Sequence, residues 1–497
     1  MSRVKIGWSA REISIEGPVS VPGQMFMRIS TGIHDPLMAT ALVVDGGEGQ
    51  DAVIFCCVDI VVLRGGVIAQ TLEKVAAMRP ELPVGNIIMN ATHTHAGACA
   101  TDTPERTPDG QEIYSGAAYR DFLTTQCAEA IVEAWDTRAE GGMGYGYGYA
   151  VVGHSRRTIY TEDQSSGDAL RAAPNGYGVM YGNTAKDSFS HYEAGSDHFL
   201  NLMFTYDADN ALTGIVVNVP CPSQLSEMFT QLSSDFWNEV RQQVKKEYGE
   251  NVFVMPQCAA AGDLSPRTLH YKQAQLRRMQ LKYDVEYDPT NMHAYNKVMS
   301  ERYDICERIM NGIREVYSWA GKDIQTEVAV CHEGRNLPLS RRKITPEEKA
   351  GCEETIRKLD EMLPELKKGT PEEIRKNVSR YEIVRNRNVQ AIQRYENYDQ
   401  DPTLDVMTHV ARIGDIAFAT TRFELYMDFM HRLQARSPFL QTFVIQLAGD
   451  EGGSYLPTHR AVANKGYSAS IFCNQVGPEG GQEWVEACLD MLNTMNS

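Results

Sequence analysis

No stretch of this chain strings together about eighteen uncharged apolar residues, so no segment reads as a membrane-spanning helix. The opening residues, Met1-Ser2-Arg3-Val4-Lys5-Ile6-Gly7, lack the apolar core of a secretory signal, which makes a cytoplasmic location the expectation. Cysteine pairs at C-x-x-C spacing are also missing. The 11 cysteines are an odd number, and Cys56, Cys57, Cys258 and Cys473 fall in apolar, strand-like runs, so buried reduced thiols are expected in place of disulfides. Positive charge is in deficit: 48 Lys and Arg against 65 Asp and Glu give a formal net charge of −17. That balance repels nucleic-acid phosphates and anionic membranes and argues against both as partners, while carrying no information about a small-molecule substrate. The glycine-rich stretch Gly141 to Gly153 lacks the G-x-x-x-x-G-K-[ST] spacing of a phosphate loop and reads as a β turn or sheet edge.

The 497 residues, 42% apolar and 23% charged, suffice for a sizeable core, in two or three domains or in one large α/β unit carrying insertions. Strand signals run from Ala39 to Val44 and from Ala52 to Val58, the second an unbroken apolar run of the kind buried on both faces. An amphipathic helix near Ile68 to Met78 leads to a further apolar run, Val84 to Met89. Strand, helix, strand is the βαβ unit, and such sheets carry ligands at the carboxyl ends of their strands. More strands are expected at Phe199 to Tyr206, Thr213 to Val219, Val252 to Gln257, Ile416 to Thr421 and Gln441 to Leu447. Between them, residues 270–404 turn rich in charged helix formers, with a short strand at Thr326 to Cys331. Thr345-Pro346-Glu347-Glu348 and Thr370-Pro371-Glu372-Glu373 each place Thr at an N-cap, Pro at the first helical position and Glu at the third. The expectation is an α/β catalytic domain made of residues 1–269 and 405–497, its mixed and largely buried sheet flanked by helices. A mainly helical insertion, 270–404, would serve as cap or oligomer contact.

Chemistry concentrates where strands should end. Asn90-Ala91-Thr92-His93-Thr94-His95-Ala96-Gly97 closes the run from Val84, and alternation along a strand would aim His93 and His95 into one space as half of a metal site. Arg156, Cys221, Asp263, Ser265, Glu424, Tyr455 and Tyr467 stand at other expected strand ends or turns. Singly, each has a plain structural use: Glu424 as a first-turn carboxylate, Tyr455 as a core aromatic, Ser265 as a turn former.

Together and in this order, the motifs resemble those of the neutral (non-lysosomal) ceramidase family of zinc-dependent amide hydrolases. The family's T-H-T-H-[SA]-G stands as Thr92 to Gly97, its N-R or R-R arginine as Arg156, and its G-D-x-S-P as Gly262 to Pro266. Its P-G-E corresponds to Arg422-Phe423-Glu424, its G-Y-x-P-T to Ser454-Tyr455-Leu456-Pro457-Thr458, and its G-G-Y to Lys465-Gly466-Tyr467. The resemblance implies a zinc held by His93, Glu424 and Tyr455, Ser265 in the position of the catalytic serine, and Arg156 and Tyr467 orienting the scissile carbonyl. His95, beside a ligand, is a candidate proton shuttle, with Asp263 in the serine's own motif.

The chain also departs from the family. A second histidine ligand, expected in N-F-A-x-H-P, is missing from Asn218-Val219-Pro220-Cys221-Pro222-Ser223. Either the Cys221 thiolate replaces it, or another residue completes the site, or metal binding is weakened. The sequence ends where ceramidases add an immunoglobulin-like domain, and no lipid-facing segment is evident. A metal-dependent hydrolase of a small polar amide, ester or lactone, attacked by metal-activated water or by serine, is therefore expected in preference to one acting on ceramide. A metal-assisted isomerase or lyase on a sugar-like substrate, or a non-catalytic ligand-binding homologue, is the alternative, and homo-oligomerisation is left open.

Overall fold

The computed structural model describes residues 3–171, 176–288 and 290–496. In chain order the principal elements are β1 (Lys5–Glu12), β2 (Met38–Asp45), β3 (Ala52–Val58), α1 (Val67–Met78), β4 (Ile87–Ala91), α2 (Gly116–Asp136), β5 (Ala139–Tyr149), β6 (Phe199–Asp207), β7 (Leu212–Val219), α3 (Phe236–Tyr248) and β8 (Phe253–Cys258). They continue with α4 (Lys272–Tyr283), α5 (Tyr295–Ala320), β9 (Val330–Ser340), α6 (Pro346–Leu366), α7 (Pro371–Asn397), β10 (Thr403–Ile413), β11 (Ile416–Thr420), α8 (Met427–Arg436), β12 (Gln441–Ile445), α9 (His459–Asn464) and α10 (Pro478–Asn496). The fold is α/β, as expected, but it contains two large mixed sheets where one was expected. An eight-stranded sheet runs β8-β7-β6-β5-β1-β2-β3-β4, and a four-stranded sheet runs β9-β10-β11-β12.

Strand β3 shows why. Its residues alternate between two faces, and all seven are buried. Ile54, Cys56 and Val58 pack beneath α1 and α2 with Val75, Leu123 and Ile131. Val53, Phe55 and Cys57 point the other way, into a layer shared with Ile413, Phe418 and Phe443 of the second sheet. The second sheet buries its far face against α8 and α10, through residues such as Leu433, Trp484 and Val485. The result is four layers, helix, sheet, sheet, helix.

The glycine-rich stretch lies inside the sheet. β5 is an eleven-residue strand between β6 and β1, where a turn or edge was expected. Alternate glycines put one side-chain-free face under α5, and a Cβ at Gly146 would strike the Trp319 ring and Val316. Period-two glycine here marks a helix packed close on a sheet. The two Thr-Pro-Glu-Glu sequences do open helices, with reciprocal capping boxes at Thr345 and Thr370. Residues 270–404 supply α4 to α7 and β9, the strand expected at Thr326 to Cys331 forming instead as Val330–Ser340 on the edge of the second sheet. All 11 cysteines are free thiols, every one but Cys331 buried. Among the described residues no helix is long and apolar enough to cross a membrane.

The carboxyl ends of three parallel pairs, β3 with β4, β7 with β8 and β11 with β12, meet: Ala91 N–H reaches Leu447 O (3.2 Å) and Ala259 N–H reaches Val219 O (3.0 Å). There the sheets are tied together. The Gln446 side-chain oxygen accepts the backbone N–H of Ala261 (2.9 Å) and of Leu425 (3.0 Å), and its own N–H reaches Cys258 O (3.0 Å). Loops from both sheets meet at this seam, and a cavity opens over it.

Candidate active site

The histidine motif does not sit on a strand. β4 ends at Ala91, and His93 takes a positive φ of 63° in the loop that follows. The two rings nevertheless meet, edge to face, with Nε2 of His95 3.4 Å from Nε2 of His93. They are aimed by the loop's own hydrogen bonds, since His95 N–H reaches Ser223 O (3.2 Å) and the Thr94 hydroxyl reaches Ser233 O (2.6 Å).

His93 Nδ1 lies 2.7 Å from the Val61 carbonyl, which can only accept. Nδ1 therefore carries the proton and Nε2 a lone pair. Facing that lone pair at 3.4 Å is Oε2 of Glu424. Burial alone would raise the Glu424 pKa, but His93, Arg156 and a hydrogen bond with Tyr455 outweigh it and hold the carboxyl at about 2. An imidazole lone pair and a carboxylate oxygen pointed at each other call for a proton or a cation between them.

Glu424 and Tyr455 are brought side by side by a two-residue parallel bridge, Glu424–Leu425 against Tyr455–Leu456. Arg156, also buried, closes the set. Its Nη2 donates to Gly262 O (2.9 Å) and lies 3.3 Å from the Tyr455 hydroxyl and 3.4 Å from Glu424 Oε2. Its Nη1 is 3.2 Å from both the Tyr181 hydroxyl and Gln224 Oε1. Burial presses the guanidinium toward neutrality, but Tyr455, Tyr181 and Glu424 more than offset it and keep the charge. Burial, reinforced by the Glu424 charge, keeps the Tyr455 phenol protonated far above its ordinary range, against the pull of Arg156.

The donors suit a divalent metal in kind. In a tetrahedral zinc site with bonds of about 2.0–2.1 Å, neighbouring donor atoms lie about 3.3 Å apart, close to both 3.4 Å separations at His93. The third donor type is a phenol. Among the described residues no group of three or more His, Cys, Asp or Glu side chains stands at metal-ligand spacing. His95 Nδ1 is buried without a hydrogen-bond partner, 3.8 Å from Oε2 of Glu227. With Nδ1 protonated, it would turn its N–H toward that carboxylate and its Nε2 lone pair toward His93's side of the cluster.

The cavity over the cluster measures about 950 Å³, and His93, His95, Arg156, Glu424, Tyr455 and Tyr467 all line it. Three other expected residues do not. Cys221 is buried in an apolar cluster with Val219, Leu225 and Trp237, its Sγ 3.5 Å from Pro222 O. Ser265 is fully buried, its Oγ accepting from Arg267 N–H (3.2 Å) on the short strand Leu264–Ser265. Asp263 accepts the first N–H of α8, from Met427 (3.1 Å), and its backbone oxygen accepts Arg156 N–H (3.1 Å). As placed, the Gly262 to Ser265 segment buttresses Arg156 and Glu424 from behind. The sequence reading missed Arg64 and Arg387, which also line the cavity. Arg387 comes from α7 and donates from both Nη atoms to the Tyr467 hydroxyl (3.2 Å each). No short motif flags either arginine, because Arg387 is one of many charged residues on a long helix.

No protein-family model matches this chain, and no curated protein matches it by sequence. Solved structures do match. The neutral ceramidase from Pseudomonas aeruginosa resembles it over 100% of this chain and 75% of its own, with a TM-score of 0.66 at 17% identity. A ceramidase complexed with C2 gives a TM-score of 0.64 at 15% identity, over 100% of this chain and 76% of its own. The chain has a neutral ceramidase-like fold.

Proposed function

We propose that this ceramidase-like chain is a metal-dependent hydrolase of a small polar amide, ester or lactone, with His93, Glu424 and Tyr455 as the metal-binding set and His95 beside them as general base. One observation carries the reading. The His93 lone pair faces a second imidazole and an ionised carboxylate at 3.4 Å each, on the wall of a cavity beside a buried arginine. When bound, the metal supplies a Lewis acid for the acyl oxygen and lowers the pKa of a water nucleophile.

The protein's own groups supply the rest. Arg156 stays charged and is fixed by five contacts, so it can stabilise the oxyanion that develops as the acyl carbon becomes tetrahedral. Burial, with His93 and Arg28 beside it, presses the His95 pKa far below its ordinary value. His95 is neutral at pH 7 and can take the proton of the attacking water. It returns that proton to the leaving nitrogen or oxygen as the acyl bond breaks. The Glu227 carboxylate beyond Nδ1, itself held by Arg267 at 2.5 Å, steadies the imidazolium in between. Ser265 has no access to the cavity, which favours water as nucleophile. The arginines, histidines and glutamates on the cavity wall suit a substrate that carries polar groups.

The test is metal content by plasma emission on protein purified gently and resupplied with zinc. About one equivalent per chain is expected, falling to near zero in His93→Ala with the circular dichroism spectrum retained. Less than roughly a tenth of an equivalent in the wild-type chain, against the usual affinity of such sites, would overturn the reading.

A further inference from the structure

The geometry points to an oxyanion subsite in the same cavity, built by Arg64 and Arg387, so that the substrate carries a carboxylate or phosphate as well as its scissile acyl bond. This rests on the hydrolase reading above and adds the substrate's charge. Buried arginines elsewhere in the protein are paired with carboxylates. Arg157 meets Glu193 at 2.5 Å, Arg267 meets Glu227 at 2.5 Å, Arg241 meets Asp59 at 2.6 Å, and Arg302 lies 2.8 Å from both Asp35 and Glu239. Others, such as Arg342 and Arg394, donate to backbone carbonyls.

Arg64 and Arg387 do neither with their terminal nitrogens. Arg64 gives Nε to Gly452 O (2.7 Å), and no acceptor among the described residues takes its Nη groups. The carboxylate that acts on it most strongly, Glu451, accepts the Gly65 N–H (2.8 Å) and makes no ion pair with it. The Nη atoms of Arg387 meet a phenol and, at 3.6 Å, the Cys473 thiol. Both residues are half-buried and line the cavity. Burial presses the Arg64 pKa below its ordinary value, and the Arg387 charge presses it in the same direction against Glu451, so the two cations feel each other. An anion between them would relieve both the repulsion and the unmet donors.

The surroundings agree. On a chain of net charge −17, five arginines line this one cavity. Of its three glutamates, Glu227 is held by Arg267 and Glu424 by Arg156 and His93, which leaves Glu382 on the exposed side of α7. Gly453 makes room for the arginine, since a Cβ there would lie 2.8 Å from Arg64 Nη2. The Tyr467 ring, which Arg387 grips, stands edge-on to Tyr455 with centroids 6.0 Å apart. One phenol thus separates the subsite from the metal-binding set, and the substrate's anionic group sits a few bonds from its acyl carbon.

Two measurements test this on the zinc-supplied full chain. Titration calorimetry with glutarate and with inorganic phosphate should detect binding to the wild type. Arg387→Met should weaken it at least about tenfold, the size of one charge-assisted hydrogen bond. In parallel, the 4-nitrophenyl monoester of glutarate should be hydrolysed in preference to 4-nitrophenyl butyrate. The ratio of their kcat/KM values should fall about tenfold in Arg387→Met and recover in part in Arg387→Lys. Should the methionine variant misfold, Arg64→Gln reads the same ratio. Tighter glutarate binding assigns a carboxylate and tighter phosphate binding a phosphoryl group. Turnover of both esters with no preference, or an unchanged ratio in the variants, overturns the subsite and leaves the hydrolase reading intact. Arginine-dependent glutarate binding with no turnover of either ester supports the subsite and removes the hydrolase reading.

Discussion

Replacing Gly262 by alanine adds one methyl group at the point where the loop after β8 touches the strand that carries Glu424. That Cβ would lie 2.8 Å from the Glu424 carbonyl carbon, closer still to its oxygen, and 3.0 Å from the Leu425 carbonyl carbon, where ordinary contact is 3.4–4 Å. These neighbours are backbone atoms of the two-residue bridge that sets Glu424 beside Tyr455, so no rotamer change can clear the clash. One segment must move by about 0.6 Å or more. The same residue donates its N–H to Leu425 O (2.8 Å) and offers its carbonyl to Arg156 (2.9 Å), so the movement stretches both bonds. Gly262 is not among the residues with positive φ, which leaves sterics and not backbone strain as the cause. Overpacking of this kind costs about 1–3 kcal/mol. A displacement approaching 1 Å in a catalytic set costs on the order of 100-fold in rate. Thermal unfolding, metal content and ester hydrolysis of Gly262→Ala should all fall together. Gly351→Ala is the control, on an exposed face of α6 with open space around it, and should gain about 0.5–1 kcal/mol of helix stability. A Gly262→Ala variant with wild-type melting, metal content and turnover would refute the claim that this glycine holds Arg156 and Glu424 in place.

Cys221→Ser should leave metal content and turnover unchanged and lower stability by about 1–2 kcal/mol, because a hydroxyl replaces a thiol that burial holds protonated in an apolar cluster. Metal lost from a folded serine variant would instead return Cys221 to the ligand set. Burial, partly offset by the Met427 N–H, pushes Asp263 up to about 6 from an ordinary value of 3.8. Between those values the native state keeps a proton that the unfolded chain has released, so this group's contribution is present below about pH 4 and is lost as pH rises through 6, up to about 3 kcal/mol. Asp263→Asn should flatten that slope in urea unfolding at pH 4.5, 5.5 and 7, and an unchanged slope would mean the carboxyl stays ionised when buried.

Strands buried on both faces were legible because an unbroken apolar run such as Ala52–Val58 has no other economical use. Which two bodies cover its faces was not, since nothing local in Val53 or Phe55 says that a second sheet lies opposite. The strand at Ala139–Tyr149 was hidden by glycine, which lowers strand propensity everywhere except where a helix must come close. At the site, His93, His95, Arg156, Glu424, Tyr455 and Tyr467 are brought to one cavity from segments more than three hundred residues apart. Short motifs in a fixed order were readable, but the reason given for the histidine pair was not the one the backbone uses. Asp263 and Ser265 carried the right motif and stand behind the wall, because a motif records spacing along the chain and not which side of a turn faces the cavity.

The segment Asn218 to Gln224, where a ligand histidine was missed, has not been released from the site. The Ser223 hydroxyl donates to Thr92 O (2.8 Å) and its carbonyl takes His95 N–H (3.2 Å), so the segment still clamps the histidine loop. The next residue, Gln224, presents its oxygen to Arg156 (3.2 Å) and its amide N–H to Glu227 (3.3 Å), joining the buried arginine to the carboxylate behind His95. A neutral amide that bridges a cation and an anion fixes both without adding charge. Where the resemblance implies a ligand, this segment supplies a positioning contact. Under the proposed chemistry the affinity is modest, since one imidazole, a carboxylate and a neutral phenol offer a cation three protein donors and one formal negative charge. A metal held so should be more easily stripped by chelators than one in a site of thiolates or several carboxylates.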